Sequence, residues 1–326
     1  MTNFFDQLDA VILPHVARQP LADWISGTIS APIVLLTLMN LLQEPQRVSA
    51  ALEPLLEQIR VFGNPREQEK AAQMDRLLAR LPSALENIGA LLEMERDHGR
   101  SCSGDPVARC AALFDTLVKQ SEEASVALYS LGDAALLQSV TAEVVNQLER
   151  WNFLGADRVV LQIGCGIGRF EAALAGSVKI AYGIDISTEM IAAARRRCAA
   201  CQNVSFALCS GHDLSLFAAE MFDGVYAVDT FPYLYAAGSH VVARHFREIA
   251  RVLRPRGDFI LMNFSYRGSP QTDRLDVEKL AQQYDFEILA NGIQPFEIWD
   301  GAVWRLRLRS SAKTNDKRML IKLTEN

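Results

Sequence analysis

The stretch LQIGCGIGRF, residues 161–170, decides the fold. An apolar run, VVLQIG, ends in glycines at alternate positions, Gly164, Gly166 and Gly168, and the short helical segment FEAALAG follows. A strand that runs into a turn without side chains lets a ligand approach the backbone, while the N–H groups of the next helix face it. Arg169 stands where the dinucleotide fingerprint G-x-G-x-x-G needs its last glycine, so close helix packing over a pyrophosphate is disfavoured. The next apolar run, KIAYGID, ends in Asp185, placed to accept the hydroxyls of a ribose. The ligand reads as a nucleoside without a pyrophosphate.

Working outward, RVVLQIG, KIAYGID, VSFALC, DGVYAVD and DFILMNF are short apolar runs separated by helical segments, the alternation of a mainly parallel α/β sheet. FEILANG and AVWRLRL follow with only IQPFEIWDG between them, which predicts an antiparallel pair at one edge. Upstream the period changes. From residue 4 to about 95 apolar residues recur at helical spacing, with Pro45, Pro54, Pro65 and Pro82 expected to divide the run into short helices. RDHGRSCSGDP reads as a connector, and Asp105-Pro106 as the cap and first position of a helix through ARCAALFDTLVKQ. A further helix is expected between a break near Gly132 and Trp151. The expected organisation is a helical N-terminal domain over 1–104, a helical lid or cap over 105–150, a ligand-binding α/β domain over 151–310 and a tail over 311–326.

Charge limits the partners. Residues 1–150 carry 12 Lys/Arg against 20 Asp/Glu, and the remainder 21 against 19, so neither half has the basic footprint that a long phosphate backbone requires. No nucleic acid is expected, and the basic tail Lys313–Lys322 reads as a solvated terminus. MTNFFDQLDA has acids where a signal peptide needs positive charge, so a cytoplasmic location is expected. Trp24–Leu42 lacks charge, but its fully apolar part is about half of the roughly 20 residues a bilayer needs; a buried helix is expected, not a membrane span. Of six cysteines, Cys198 and Cys201 form a C-x-x-C with no second pair at zinc-site spacing, so both read as apolar fillers and no metal is expected.

LQIGCGIGRF, GIDIS, the strand end AVDTFPYL and RVLRPRGDFILMNFSY together resemble, in order and spacing, the motifs of class I S-adenosylmethionine-dependent methyltransferases of the small-molecule type, over roughly residues 140–310. The resemblance implies a Rossmann-like seven-stranded, mainly parallel sheet with an antiparallel edge strand, here preceded by an all-α region. It implies S-adenosylmethionine as cofactor and S-adenosylhomocysteine as product. It places Gln162, Gly164, Cys165, Gly166 and Gly168 at the cofactor, the glycines bordering its methionine part, with Asp185 on the ribose and Ile186 against adenine. Gly211, His212 and Asp213 would line the adenine end, and Asp229 would touch cofactor or substrate. Gln162 departs from the family pattern, which usually has Asp or Glu there.

Methyl transfer from a sulfonium needs alignment and a dry pocket, and a base only where the nucleophile must lose a proton early. Candidates beyond the carboxyl ends of the strands are Asp229, Tyr233, Tyr235, His240, Asn263, Ser265 and Tyr266, with Asp229, Tyr233 and Tyr266 the catalytic candidates. Ser121, Tyr129 and Ser130 are expected to make lid contacts. Asp229-Thr-Phe-Pro-Tyr233 matches the D-P-P-Y motif of nucleic-acid amino methyltransferases poorly, so a small-molecule acceptor is expected, with an amine, thiol or thioether favoured over a hydroxyl. Two other readings stay open: a cofactor-binding scaffold without catalysis, motivated by Gln162, and an NAD-dependent oxidoreductase. The N-terminal helices either finish the acceptor pocket or form a homo-oligomer interface.

Overall fold

A computed structural model describes residues 15–27, 29–42, 45–79, 105–130 and 132–310. The expected helix beyond residue 79, most of the connector RDHGRSCSGDP and the tail 311–326 lie outside the described residues.

The seven predicted strands form one sheet: β1 (Gly155–Ile163), β2 (Val178–Asp185), β3 (Val204–Leu208), β4 (Phe222–Val228), β5 (Leu253–Met262), β6 (Phe286–Ile293) and β7 (Val303–Leu308). Their spatial order is β3-β2-β1-β4-β5-β7-β6. Strand β7 is antiparallel to both β5 and β6, and the other pairings are parallel. The antiparallel strand therefore lies one place in from the edge, and β6 is the edge itself. The order reverses between β1 and β4, where the crevice of an open α/β sheet falls.

Asp258 on β5 fixes the antiparallel strand. Its carboxylate is almost wholly buried and binds Arg305 at 2.7 Å and Arg307 at 2.7 Å, both on β7. Arg305 also donates to the carbonyl of Trp151, tying β7 to the chain just before β1.

The N-terminal helices are α1 (His15–Ser26), α2 (Ala31–Leu42), α3 (Pro45–Phe62) and α4, helical over residues 65–79. Pro45 and Pro65 open helices as expected, but Pro54 sits inside α3. The lost hydrogen bond and ring clash cost about 3 kcal/mol. Val48, Leu52, Leu55, Leu56 and Ile59 of the same helix are buried, at roughly 1.5–3 kcal/mol each, so burial wins. Among the described residues no helix is long and apolar enough to cross a membrane. Trp24, Val34, Leu35 and Leu38 are instead core.

Helices α5 (Pro106–Gln120) and α6 (Glu122–Val126) belong to this bundle as much as to the sheet, because Leu113, Leu117 and Ala124 share its hydrophobic cluster. Asp105 caps α5 by accepting from the Val107 N–H, with Pro106 at the first turn. After a 3-10 turn at Leu128–Ser130 and the break at Gly132, α7 (Ala134–Arg150) starts from the Asp133 cap. Helices α8 (Arg169–Leu174), α9 (Thr188–Arg197), α10 (Phe231–Ala237), α11 (Ser239–Val252) and α12 (Pro270–Gln283) cover the sheet. Cys198 caps the end of α9 and is buried, consistent with a filler, and the described residues contain no metal-binding cluster.

Replacing Asp258 with Ala leaves two guanidinium groups facing an apolar strand. Chemical denaturation is expected to show a loss of about 3 kcal/mol, in the range for breaking a buried ion pair.

Candidate functional site

A cavity of about 370 Å³ opens at the carboxyl ends of β1, β2, β4 and β5, under a roof made by α2, α5, α6 and the 3-10 turn. The glycine turn forms its floor. Gly164 and Gly166 have φ of 71° and 52°, so an L side chain would be strained at either. Space forbids one as well: a Cβ at Gly164 would strike Thr230, and one at Gly166 would meet Val126 of α6 at 2.7 Å. Helix α6 is thus seated directly on the loop. Gly168 does not border the cavity, contrary to expectation. A Cβ there would strike Phe206 and Ala194, so this glycine lets α9 and β3 pack close.

Asp185 lines the cavity from the end of β2. One carboxylate oxygen accepts from Gly166 N at 2.9 Å and the other from Ser187 N at 2.9 Å. Burial pushes its pKa up, while the Ser187 and Gly166 N–H groups oppose that shift. Each oxygen keeps a second lone pair for a diol. Ile186 and Gly211 line the same end, where Val107 of α5 closes over Gly211 at 2.6 Å from its would-be Cβ. Asp213 also borders it, but His212 turns away, 3.6 Å from Asp105 and half exposed.

At the opposite end Asp229 follows β4 with φ 53°, a conformation uncommon for a residue with a side chain. Asn263, itself at φ 61° after β5, donates to its Oδ1 at 2.7 Å, and Tyr266 Oη donates to the same oxygen at 2.9 Å. Oδ2 has no hydrogen bond among the described residues. Burial raises the Asp229 pKa, against the pull of Asn263 and Tyr266. Asn263 is anchored in turn by the Ala302 N–H, which donates to its Oδ1. Tyr233 lines the wall, edge-on to Phe114 and to Tyr266.

Several expected residues are elsewhere. Tyr235 packs on Phe264 and accepts from Arg267, outside the cavity. His240 is solvent exposed, and Ser265 binds Asp273. Of the three lid candidates only Tyr129 reaches the cavity. Ser121 caps α6 through the Ala124 N–H, and Ser130 is buried, donating to the carbonyl of Glu123.

Residues missed in the sequence complete the wall: Arg169, Trp299, Asp300, and Ile33 and Leu36 of the N-terminal bundle. Trp299 stacks on Tyr129 with ring centroids 6.1 Å apart. Asp300 has its pKa pushed up to about 6, chiefly by burial. The loop carrying both is fixed by Glu143 of α7, which accepts from the N–H groups of Glu297 and Ile298.

Gln162 has a buried acid for a neighbour. Its outer amide atom lies 2.9 and 3.2 Å from the carboxyl oxygens of Glu171 and 3.1 Å from Tyr226 Oη. Glu171 is fully buried, and desolvation pushes its pKa up to about 8. The amide nitrogen donates to the Glu171 carboxyl and to Tyr226 Oη, so Gln162 is held from the side of α8. A carboxylate at position 162 would face a second carboxyl at about 3 Å, an arrangement that disfavours ionisation of both. On this geometry Gln162→Glu is not a simple gain of charge for a bound ammonium.

The cavity fits S-adenosylmethionine by the chemistry of its ends. A carboxylate with spare lone pairs faces the ribose end, and a buried guanidinium stands beyond the glycine turn at the other.

Because the folded state raises the Glu171 pKa, its neutral form is favoured: stability from this group is complete below about pH 4.5 and is lost as pH rises toward 8. Glu171→Gln removes that dependence. Relative to the natural chain, the variant is expected to gain on the order of 3–5 kcal/mol between pH 5 and 9 in denaturant melts. Parallel pH profiles would show that Glu171 is not the titrating group.

Residues 161–261 match the Methyltransferase domain family. No curated protein matches the chain. Among solved structures, the phosphoethanolamine N-methyltransferase 1 of Haemonchus contortus, bound to phosphoethanolamine and S-adenosylhomocysteine, shares 16% identity over 66% of this chain and 51% of its own, with a TM-score of 0.51. N-methyltransferase NodS of Bradyrhizobium japonicum shares 19% over 55% of this chain and 99% of its own, at 0.42. A SAM-dependent methyltransferase of Methanosarcina mazei shares 19% over 50% of this chain and 97% of its own, at 0.41. Residues 161–261 are thus similar to the methyltransferase domain family, and the seven-stranded sheet with its glycine turn has the fold of class I S-adenosylmethionine-dependent methyltransferases.

Proposed function

We propose that the enzyme methylates a small-molecule amine held between Asp229 and Asp300, with a thiol or thioether the next best acceptor and a hydroxyl the least suited. The observation that carries this reading is a pair of largely buried carboxyls on the wall beyond the glycine turn that have no cation within ion-pair distance among the described residues, Arg169 acting on Asp229 only from further away. Unpaired buried acids attract a cation, and amines are protonated in water. Tyr129, Tyr233, Tyr266 and Trp299 supply ring faces and edges around them, an environment that also favours an ammonium.

The sulfonium of the cofactor supplies the electrophilic methyl group. The chain's part is to bind, orient and dry. Gly164, Cys165 and Gly166 form the floor beneath the methionine part, Asp185 takes the ribose hydroxyls, and Ile186, Gly211 and Asp213 border adenine. Gln162 steadies the loop from below. Asn263 and Tyr266 hold Asp229 by one oxygen, so the other is free to accept a proton or a hydrogen bond from the acceptor nitrogen. Asp300, with a pKa near 6, can hold a proton released by the amine before attack. The seated lid and the Trp299 loop exclude water from the in-line path.

The scaffold reading rested on the missing acid at position 162. Glu171 of α8 brings a carboxyl to within about 3 Å of the Gln162 amide, which supports the catalytic reading over it. The purpose of Ile33 and Leu36 follows too: the N-terminal bundle walls the pocket, so acceptor size depends on it.

Asp185→Ala is expected to weaken S-adenosylhomocysteine binding by about 1–3 kcal/mol in calorimetry. Acceptor panels of amines, thiols, thioethers and alcohols, followed by product release, are expected to give turnover with amines. Asp229→Asn and Asp300→Asn should each lower kcat/KM roughly 10- to 100-fold while cofactor affinity stays within about threefold. Turnover confined to alcohols, or variants as active as the natural chain, would sink the amine reading.

A further inference from the structure

We infer that Arg169 is the anchor for the α-carboxylate of the cofactor's methionyl part. Arg169 is 7% exposed and lines the cavity immediately after the glycine turn. A guanidinium cannot lose its charge at ordinary pH, and buried charges are paired unless something else compensates them. This one is not paired. Its hydrogen bonds go to two neutral hydroxyls, Thr141 Oγ1 at 3.0 Å and Tyr129 Oη at 3.4 Å, and its carbon lies 4.2 Å from the Phe170 ring centre. Among the described residues no carboxylate comes within ion-pair distance of it. Glu171, its chain neighbour, points the other way, to Gln162 and Tyr226 beneath the sheet end.

Contrast the other deeply placed arginine of the domain: Arg305 is held by Asp258 at 2.7 Å. Of the five N–H donors of Arg169, the two hydroxyl contacts occupy only part, and the fork suits a carboxylate. Asp229 and Asp300 line the same cavity and do not reach it. A positive group on this wall complements the carboxylate of an α-amino acid head. The cofactor carries such a head, with one carboxylate, at the end away from the ribose. Asp185 marks the ribose side of the glycine turn, and Arg169 stands beyond the turn's last glycine.

The contacts also fix what the anchor would do to the roof. Tyr129 joins Arg169 to Trp299, so an anion on the guanidinium would steady the lid turn and the β6–β7 loop together.

Calorimetric titration of the full chain with S-adenosylmethionine and with decarboxylated S-adenosylmethionine tests this without any acceptor, so its outcome is separate from the amine reading. The natural chain is expected to prefer the carboxylated ligand roughly 10- to 100-fold, the worth of a hydrogen-bonded charge. Arg169→Gln should lose that preference, weakening S-adenosylmethionine by the same factor and the decarboxylated ligand by less than about threefold. Arg169→Lys, which keeps the charge and guards against a folding failure of the first variant, should keep part of the preference. Hydrogen exchange over residues 121–130 should slow more with the carboxylated ligand. Equal weakening of both ligands would make Arg169 a packing residue and overturn the assignment. Unchanged binding of both, with only the KM of anionic acceptors raised, would overturn it equally by moving the arginine to the acceptor.

Discussion

The site hangs on one carboxylate. Asp185 accepts the Gly166 N–H from the glycine turn and the Ser187 N–H from the start of α9, so it fixes the floor of the cavity to the end of β2. Ser187 in turn caps α9 at Met190 and donates to Asp115 of α5 at 2.6 Å. Asp115 also accepts the Glu189 N–H. Floor, Asp185 carboxylate, helix cap and roof helix are therefore links of one chain of hydrogen bonds. Cutting it loosens the wall and the roof at once, which is why a nucleoside bound at Asp185 would also be felt by the lid.

The rest of the pocket is an exercise in unbalanced charge. Burial raises the pKa of Asp185, Asp229 and Asp300, while Arg169 stays cationic. Within the fold these groups are kept apart, whereas Asp258 with Arg305 and Arg307 shows what the same residue types do when their role is structural. Direct pairing would cancel their fields and leave nothing for a ligand. Separation keeps the protein less stable than it would be and the cavity more selective, the common trade at functional sites.

Much of this was legible in the sequence. Period and turn residues located all seven strands, and the cap at Asp105 carries through to a helix. LQIGCGIGRF with Asp185 located the floor of the cavity, because local spacing fixes a turn and a strand end. Residues whose direction depends on tertiary packing were not readable: Tyr235 of α10 and Ser265 follow the right strands but bind Arg267 and Asp273, and Gly168 serves helix packing. Pro54 misled because propensity ignores the five buried neighbours on its helix. Trp299 and Asp300 did leave a signal. A connector from a parallel strand into an antiparallel one must lie at the carboxyl edge, where ligands bind, so IQPFEIWDG was bound to border the site.

Gln162 belongs to the same logic of placement. On β1 its neighbours across the sheet are Gly183 and Tyr226, and the absent side chain of Gly183 makes the room that Glu171 enters from α8; a Cβ there would stand 2.7 Å from the Glu171 oxygen. An acid at 162 would be presented by a rigid strand directly to the loop. An acid at 171 reaches the loop only through the amide, with its proton held in a dry pocket and its pKa near 8. The charge beneath the glycine turn thus becomes conditional on pH and on what lies above. A cation bound over the turn would favour the ionised form of Glu171, so the amide at position 162 stands between a buried carboxyl and the loop and is not the carboxyl's substitute.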